Sequence, residues 1–485
     1  MKQVNSLLVV GGGTAGLIAA IILKTKLDIK IDVVHSKNIG IVGVGEGSTE
    51  HWKDFMDHAG VNQYDLIKEC DATYKSGIMF EGWGTKDYLH SVAGPLNART
   101  GQYHHVYASM IANNAPTLTL PSMWNSRVPK SVLGNSNAFI VNQFHFNTHK
   151  LNDFLIKIAK SKGISVIEDD INDVTLNDQG EIDKIVGVQR NYTYDFYIDS
   201  TGFKRILMNK LGAKWNSYSK YLKMKSAIAF PTPDTEEYNM WTLAKAMDYG
   251  WLFRLPTYGR GGNGYIFDSD YITAEQAKTE VEQLLGHEIE VGKTFNFDPG
   301  AVDRAWIKNC CAVGLSSNFV EPLEASSIGS SIQQSFLLMH RLLNYDDNTI
   351  HRYNKSFTDL TENIRDFVLL HYITRKDNSP FWKDLAGNDI TDSLGSNLES
   401  WRTKLPISED FNEYSDFIMF KAENQIQIMD GLNLFDRSAI KREYESYRPF
   451  VKESVAAIMR NYEDLERNTP TFSHKEILSL IRQYY

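Results

Sequence analysis

The segment that most limits how this chain can fold is residues 4–23, twenty uncharged residues behind Lys2 with three consecutive glycines in the middle. An apolar run of that length suits a membrane span or a leader peptide. The glycines, however, divide it into two unlike halves. Ser6 to Val10 is short and ends in β-branched residues, whereas Leu17 to Leu23 contains alanines and suits a helix. No small-residue cleavage site followed by a polar start appears. A strand, a glycine turn and a helix account for both halves.

That turn, Gly11-Gly12-Gly13-Thr14-Ala15-Gly16, reads Gly-x-Gly-x-x-Gly between a strand and a helix. Gly11 is expected to make the tight turn, Gly13 to let backbone approach a pyrophosphate, and Gly16 to let helix and strand pack closely. The first helical N–H groups, at Thr14 and Ala15, would face the phosphate. The next strand, residues 29–34, is expected to end on an acid that bonds the ribose hydroxyls. His35 and Ser36 stand there instead. Both can hydrogen-bond a ribose, but the acidic signature is missing.

A second formal match, Gly259 to Gly264, runs into Gly264-Tyr-Ile-Phe267 with no helix behind it, and reads as a hairpin. The chain thus carries one dinucleotide site and no evident NADPH domain. FAD is favoured over NAD by two later strand-to-glycine turns, Asp199-Ser-Thr-Gly202 and Ala312-Val-Gly314-Leu315, although each alone is also an ordinary strand–helix turn. Net charge is −9 and no basic run of five occurs, which argues against nucleic acid. The three cysteines cannot build a disulfide framework. Cys310 and Cys311, adjacent in an apolar stretch, read as buried apolar residues, no Cys/His cluster has zinc spacing, and His104-His105 reads as loop or lid.

With these features in place, five ordered blocks resemble the flavin-dependent halogenases, the family of the tryptophan halogenases. Gly43-Val-Gly45-Glu46-Gly-Ser48 is similar to the family's Gly-Val-Gly-Glu-Ala-Thr, and Tyr74-Lys75-Ser76-Gly77 to its lysine segment. Phe144-His145-Phe146-Asn147 stands for Tyr-His-Phe-Asp, and Trp251-Leu-Phe253-Arg-Leu-Pro256 for Trp-x-Trp-x-Ile-Pro. Phe319 to Ser327 parallels Phe-Val-Glu-Pro-Leu-Glu-Ser-Thr-Gly. There are departures. Phe253 replaces the second tryptophan, Ala325 a serine, and Ser326-Ser327 the Thr-Gly pair at the family's halide contact.

The resemblance implies an FADH2-dependent halogenase. Reduced FAD from a separate flavin reductase, oxygen and a halide yield hypohalous acid, which travels through an internal tunnel to a small electron-rich aromatic such as an indole or phenol. It implies Lys75 and Glu324 as the catalytic pair, with Glu321 as a structural neighbour. Burial of Lys75 among Tyr74, Ile78 and Phe80 would favour its neutral amine. It further implies Ser326 and Ser327 at the halide, and Trp251, Phe253 and Pro256 separating flavin from substrate. FAD contacts would fall to Gly11, Gly13, Thr14, Ala15, Gly16, His35, Ser36, Gly43, Gly45, Glu46, Gly314 and Leu315. The altered turn at Ala325 to Ser327 points to bromide or iodide over chloride. The alternatives are a flavin-dependent aromatic hydroxylase, which Phe253 keeps open, and a non-catalytic flavin-fold binding protein.

The expected architecture is α/β, an FAD-binding Rossmann-like fold of the flavin monooxygenase type. The FAD-binding core spans residues 1–335, with substrate segments at about 81–140 and 226–295 interleaved in it. Residues 336–485 form a mostly helical capping region fused to that core. Neither a metal, nor a membrane, nor nucleic acid is expected; a cytoplasmic location is, and a homo-oligomer is left open.

Overall fold

A computed structural model describes residues 1–40, 45–91, 102–115, 125–135, 143–411 and 417–485. The N-terminal segment folds as strand β1 (Ser6–Val10), a glycine turn and helix α1 (Thr14–Lys26), followed by strand β2 (Lys30–His35). Leu7 to Val10 are buried, the pattern of a strand covered on both faces. Leu17 to Leu23 have no exposed surface at all. A helix apolar all round must lie inside the protein, and α1 packs between the Thr148–Ser161 and Ser326–Arg341 helices.

β1 is central in a six-stranded sheet of order 306–307, 310–312, 196–199, β1, β2, 165–168. All its pairings are parallel except that of the edge strand Trp306–Ile307. Ser200 donates its N–H to the Val10 carbonyl at 2.8 Å, and Val313 to that of Asp199 at 3.0 Å. The Gly11, Ser200 and Val313 turns therefore lie side by side at the carboxyl ends of three neighbouring strands, where open α/β sheets bind ligands. The chain has the α/β, Rossmann-like core that the glycine loop predicts.

A seven-stranded sheet, of order 293–296, 226–232, 260–267, 250–257, 241–247, 77–81, 88–90, forms a second layer. Gly250–Thr257 and Arg260–Phe267 make the expected hairpin, which turns at Tyr258-Gly259 with Gly259 at φ +89°. The turn is tighter than the sequence suggests: Gly261 to Gly264 lie in the strand, and Gly264 opposes Phe253, whose ring takes the place of a side chain. A three-stranded sheet, Glu46–Gly47, Gln143–Phe146 and Thr73–Lys75, packs against the seven-stranded one.

Beyond residue 335 the described chain is mostly helical, led by Asp347–His371. The last helix, His474–Tyr484, returns to the centre, where the His474 ring accepts the Tyr74 N–H at 3.0 Å. His104 and His105 are not on a loop. They lie on the Gln102–Ala112 helix, His104 at 2.8 Å from Glu443 and His105 edge-on to Tyr447. All three cysteines are buried. Among the described residues no helix is long and apolar enough to cross a membrane, and no group of three or more His, Cys, Asp or Glu could hold a metal.

Candidate active site

The glycine loop divides its work as its spacing suggests. Gly11 sits at φ +116°, where a Cβ would lie 2.1 Å from the Ser200 carbonyl oxygen. A Cβ on Gly16 would lie 2.2 Å from the Gly11 carbonyl oxygen, so the helix start presses directly on the turn. A side chain on Gly13 would meet no protein atom within 4 Å. Gly13 is also the N-cap of α1, with no side chain bonded to the free N–H groups of the first turn, which begins at Thr14 and Ala15. An uncapped helix end facing an open space fits the phosphates of a dinucleotide.

Of the other residues expected to contact FAD, His35 and Gly314 lie against that loop and its helix. His35 ends β2 with its ring over Gly12, and burial lowers its pKa. Ser36 follows it, its hydroxyl accepting the Asn38 N–H. Gly314, at φ +71°, brings the Gly314–Ser316 turn, with Leu315, so close to α1 that a Cβ would lie 2.5 Å from that of Ala15. Gly45 packs beneath Leu255. Among the described residues one Glu46 carboxylate oxygen has no partner, and burial pushes its pKa up to about 7. Gly43 lies outside the described residues. Gly13→Val should place its side chain where the pyrophosphate is expected. FAD titration by flavin fluorescence is expected to show at least tenfold weaker binding with the fold intact, and unchanged affinity would refute the assignment.

Lys75 and Glu324 are both fully buried. Lys75 ends the Thr73–Lys75 strand, and its Nζ donates to the Ser48 carbonyl at 2.7 Å. Desolvation lowers its pKa to about 8, against the opposing pull of Glu324 and Glu50. The shift has the expected direction but is too small to make the neutral amine the main form at pH 7. Glu324 closes the short turn Pro322–Glu324 ahead of the Ser326–Arg341 helix. A Cβ on Gly47 would lie 3.5 Å from both Lys75 Nζ and Ala325 Cβ, so one bare glycine separates the lysine from the start of that helix. Ala325 takes a left-handed conformation there, at φ +52°. Ser326 is buried, Ser327 is exposed, and no side chain caps the helix. The free N–H groups at Ser326 and Ser327 can hold an anion.

Two histidines grip Glu324. His90 Nδ1 lies 2.8 Å from Oε2, and His371 Nε2 lies 2.8 Å from Oε1. Desolvation would raise the Glu324 pKa, but the imidazoles, His90 foremost, pull it down to about 2. His371 Nδ1 is 2.8 Å from the Phe367 carbonyl. Carbonyl and carboxylate oxygens only accept, so His371 donates from Nδ1 to the Phe367 carbonyl and from Nε2 to the ionised Glu324. His90 donates from Nδ1, leaving Nε2 to accept from Asn424 Nδ2 at 3.1 Å.

Nearby, Glu321 is equally buried, accepts the Tyr372 hydroxyl, and has its pKa raised to about 8 by burial. The Gly250–Thr257 strand links these groups. Trp251 lies by Glu321 and Tyr372, Phe253 is half-buried, and the Pro256 carbonyl accepts the Thr73 hydroxyl at 2.8 Å, two residues from Lys75. Sequence reasoning overlooked His90, His371, Asn424 and Gln143. The i, i+4 pair Phe367 and His371 was the available signal, and it reads equally well as helix core.

A sequence profile described as tryptophan halogenase matches residues 6–443. The chain belongs to that family. It is 28% identical over 516 residues to the 7-chloro-L-tryptophan 6-halogenase KtzR of a Kutzneria species, covering 95% of this chain and 99% of the relative. It is 26% identical over 513 residues to the tryptophan 7-halogenase RebH of Lentzea aerocolonigenes, covering 96% of each. Its fold matches a flavin-dependent halogenase from Xanthomonas campestris with a TM-score of 0.83 at 27% identity, over 99% of both chains. As a family member it is a flavin-dependent halogenase that works with reduced FAD and takes a halide as co-substrate, and the family implies a separate flavin reductase.

Proposed function

We propose that this halogenase acts on a small electron-rich aromatic, an indole or a phenol, through hypohalous acid handled by Lys75 and Glu324. The observation that carries this reading is the pairing of a buried ammonium with a buried carboxylate, on either side of an uncapped helix start. Bound reduced FAD supplies, with oxygen, the oxidising power that converts halide to hypohalous acid. The backbone N–H groups of Ser326 and Ser327 hold the halide. Lys75 hydrogen-bonds the hypohalous acid and polarises it. Glu324, ionised and fixed by two imidazoles, takes the proton lost from the ring carbon after halogen transfer. Trp251, Phe253 and Pro256 keep the aromatic away from the flavin. Relatives named as tryptophan halogenases put indoles first among the substrates to test. A panel of aromatics incubated with a flavin reductase, FAD, oxygen and each halide should gain halogen by mass spectrometry. Gain of oxygen instead would support the hydroxylase that Phe253 leaves open, and no turnover would support a binding protein.

The same reading favours bromide, and iodide, over chloride. Larger halides lose electrons more readily and are less tightly hydrated, so chloride is used first only where a close set of donors selects it. Here the donor turn has a bare methyl at Ala325 and an exposed side chain at Ser327. With equal halide concentrations and one aromatic, brominated product should exceed chlorinated product several-fold. A mixture dominated by the chlorinated compound would refute this preference.

A further inference from the structure

We propose that Gln143 is a third catalytic residue, whose side-chain amide holds the hypohalous acid beside Lys75. The inference rests on the Lys75 reading above and starts from the three-stranded sheet. Thr73–Lys75 pairs antiparallel with Gln143–Phe146 in the register Thr73 to His145, Tyr74 to Phe144 and Lys75 to Gln143. Directly opposed residues share a face, with Cβ atoms about 4.5–5.5 Å apart. The faces sort as that rule requires. The Tyr74 and Phe144 rings meet on one side, tilted with centroids 5.6 Å apart, while on the other Thr73 Oγ1 lies 3.1 Å from His145 Nδ1. Lys75 and Gln143 belong with Thr73 and His145.

On that face Gln143 is the group with nothing to bond. Thr73 donates its hydroxyl proton to the Pro256 carbonyl, so it accepts from His145 Nδ1–H. His145 Nε2, at 2.8 Å from Thr242 Oγ1, then accepts the Thr242 hydroxyl. Burial and nearby Lys75 hold the His145 pKa well below its ordinary value, in keeping with this neutral tautomer. His145 therefore has no valence left for Gln143. The Gln143 side chain is fully buried, and among the described residues neither its Oε1 nor its Nε2 has a partner. A buried amide left so destabilises the fold for each unmade bond, a cost a fold keeps where function uses the group. Lys75, opposite, spends one N–H on Ser48 and has others free, and Gly47 leaves space above its Nζ.

Hypohalous acid offers one O–H and one acceptor oxygen. Gln143 Oε1 accepts the O–H, and Lys75 N–H donates to the oxygen, which leaves the halogen end pointing away toward the aromatic. On transfer the carbon–halogen bond forms and the halogen–oxygen bond breaks, its electron pair staying on oxygen. That oxygen takes a proton from Lys75 and leaves as water. The ring proton passes to Glu324, and its return to Lys75 restores the site, so the sum is aromatic plus hypohalous acid to halogenated aromatic plus water.

The test is Gln143→Leu in the full-length protein with FAD, reductase, bromide and an indole. It reads halogenated product per FADH2 oxidised, escaped oxidant caught by a dissolved sulfide, FAD affinity and Tm. The expected result is at least a tenfold loss of product per flavin, with a matching rise in trapped oxidant. FAD affinity should be unchanged and Tm equal or higher, because an apolar side chain of similar size removes two unmade bonds. Gln143→Glu, which keeps the acceptor oxygen, should recover part of the yield. Product per flavin within twofold of the parent in Gln143→Leu would overturn the proposal, and so would a loss of product accompanied by a fall in Tm or FAD affinity. Lys75→Ala run alongside separates the levels: if it too retains product, the Lys75 reading fails; if it is inactive while Gln143→Leu is not, only the Gln143 assignment fails.

Discussion

Lys75→Ala is expected to abolish halogenation while oxygen continues to consume reduced flavin at the parental rate. The reason is spatial. The glycine loop expected to hold the dinucleotide sits at the carboxyl ends of the six-stranded sheet, whereas Lys75 lies in the separate three-stranded one. Removing the ammonium leaves the oxidant-forming step in place and takes away the group that directs its product. The pH dependence follows from the same burial. With the Lys75 pKa lowered to about 8, the ammonium outnumbers the amine roughly tenfold at pH 7. Product per flavin should therefore hold below pH 8 and fall about tenfold per pH unit above it. The stability sign runs the other way. The folded pKa lies below the unfolded one, so the fold disfavours the charged form. That cost is fully present below about pH 8 and is lifted as pH rises toward 10.5. Lys75→Met should thus raise Tm at pH 7 while eliminating product. Rapid-mixing measurement of flavin oxidation, with product mass read on the same samples, checks both. A variant that still halogenates at a comparable rate would remove Lys75 from the mechanism.

What the sequence made legible was what local chemistry decides. Gly11 must be glycine because it sits at φ +116°, and Gly16 because a Cβ would collide with the Gly11 carbonyl of its own loop, and such local constraints leave a pattern that spacing alone reveals. The Tyr258-Gly259 hairpin is legible for the same reason, although Gly261 to Gly264 look like loop and are strand, because their bareness serves neighbouring side chains such as Phe253. The surroundings of the two candidate catalytic groups, Lys75 and Glu324, were not legible. His90 meets Glu324 across 234 positions, and Gln143 meets Lys75 only through sheet register. His371 closes a helix whose apolar face already explains it, and nothing in its neighbours announces a carboxylate at Nε2. Non-local pairing of this kind exists only once the sheets have formed.

Glu324→Gln should lower halogenation by about a hundredfold or more, within the usual range for a lost general base, while Glu321→Gln should stay within about threefold of the parent at pH 7. The two residues differ by three positions and are equally buried, but they hold opposite charge states. Glu324, at about 2, is ionised and receives N–H groups at both oxygens. An amide there can accept from His371, but its NH2 then faces His90 Nδ1–H. His90 could move its proton to Nε2 only by facing the Asn424 NH2 instead. Asn424 cannot turn over in response, because its Oδ1 accepts the Lys421 N–H at 2.8 Å. The other amide orientation avoids that clash, its oxygen accepting from His90 Nδ1–H and its NH2 donating to His371 Nε2 once that nitrogen carries no proton, so the variant can keep the geometry but loses the base. Glu321, at about 8, is a neutral acid at pH 7. Glutamine copies that form: its oxygen accepts the Tyr372 hydroxyl as Oε1 does now, and its NH2 replaces an oxygen that has no partner. Steady-state halogenation of folded variants, with Tm and FAD affinity measured beside it, tests the pair. Comparable folding with the opposite order of activities would move the base from Glu324 to Glu321.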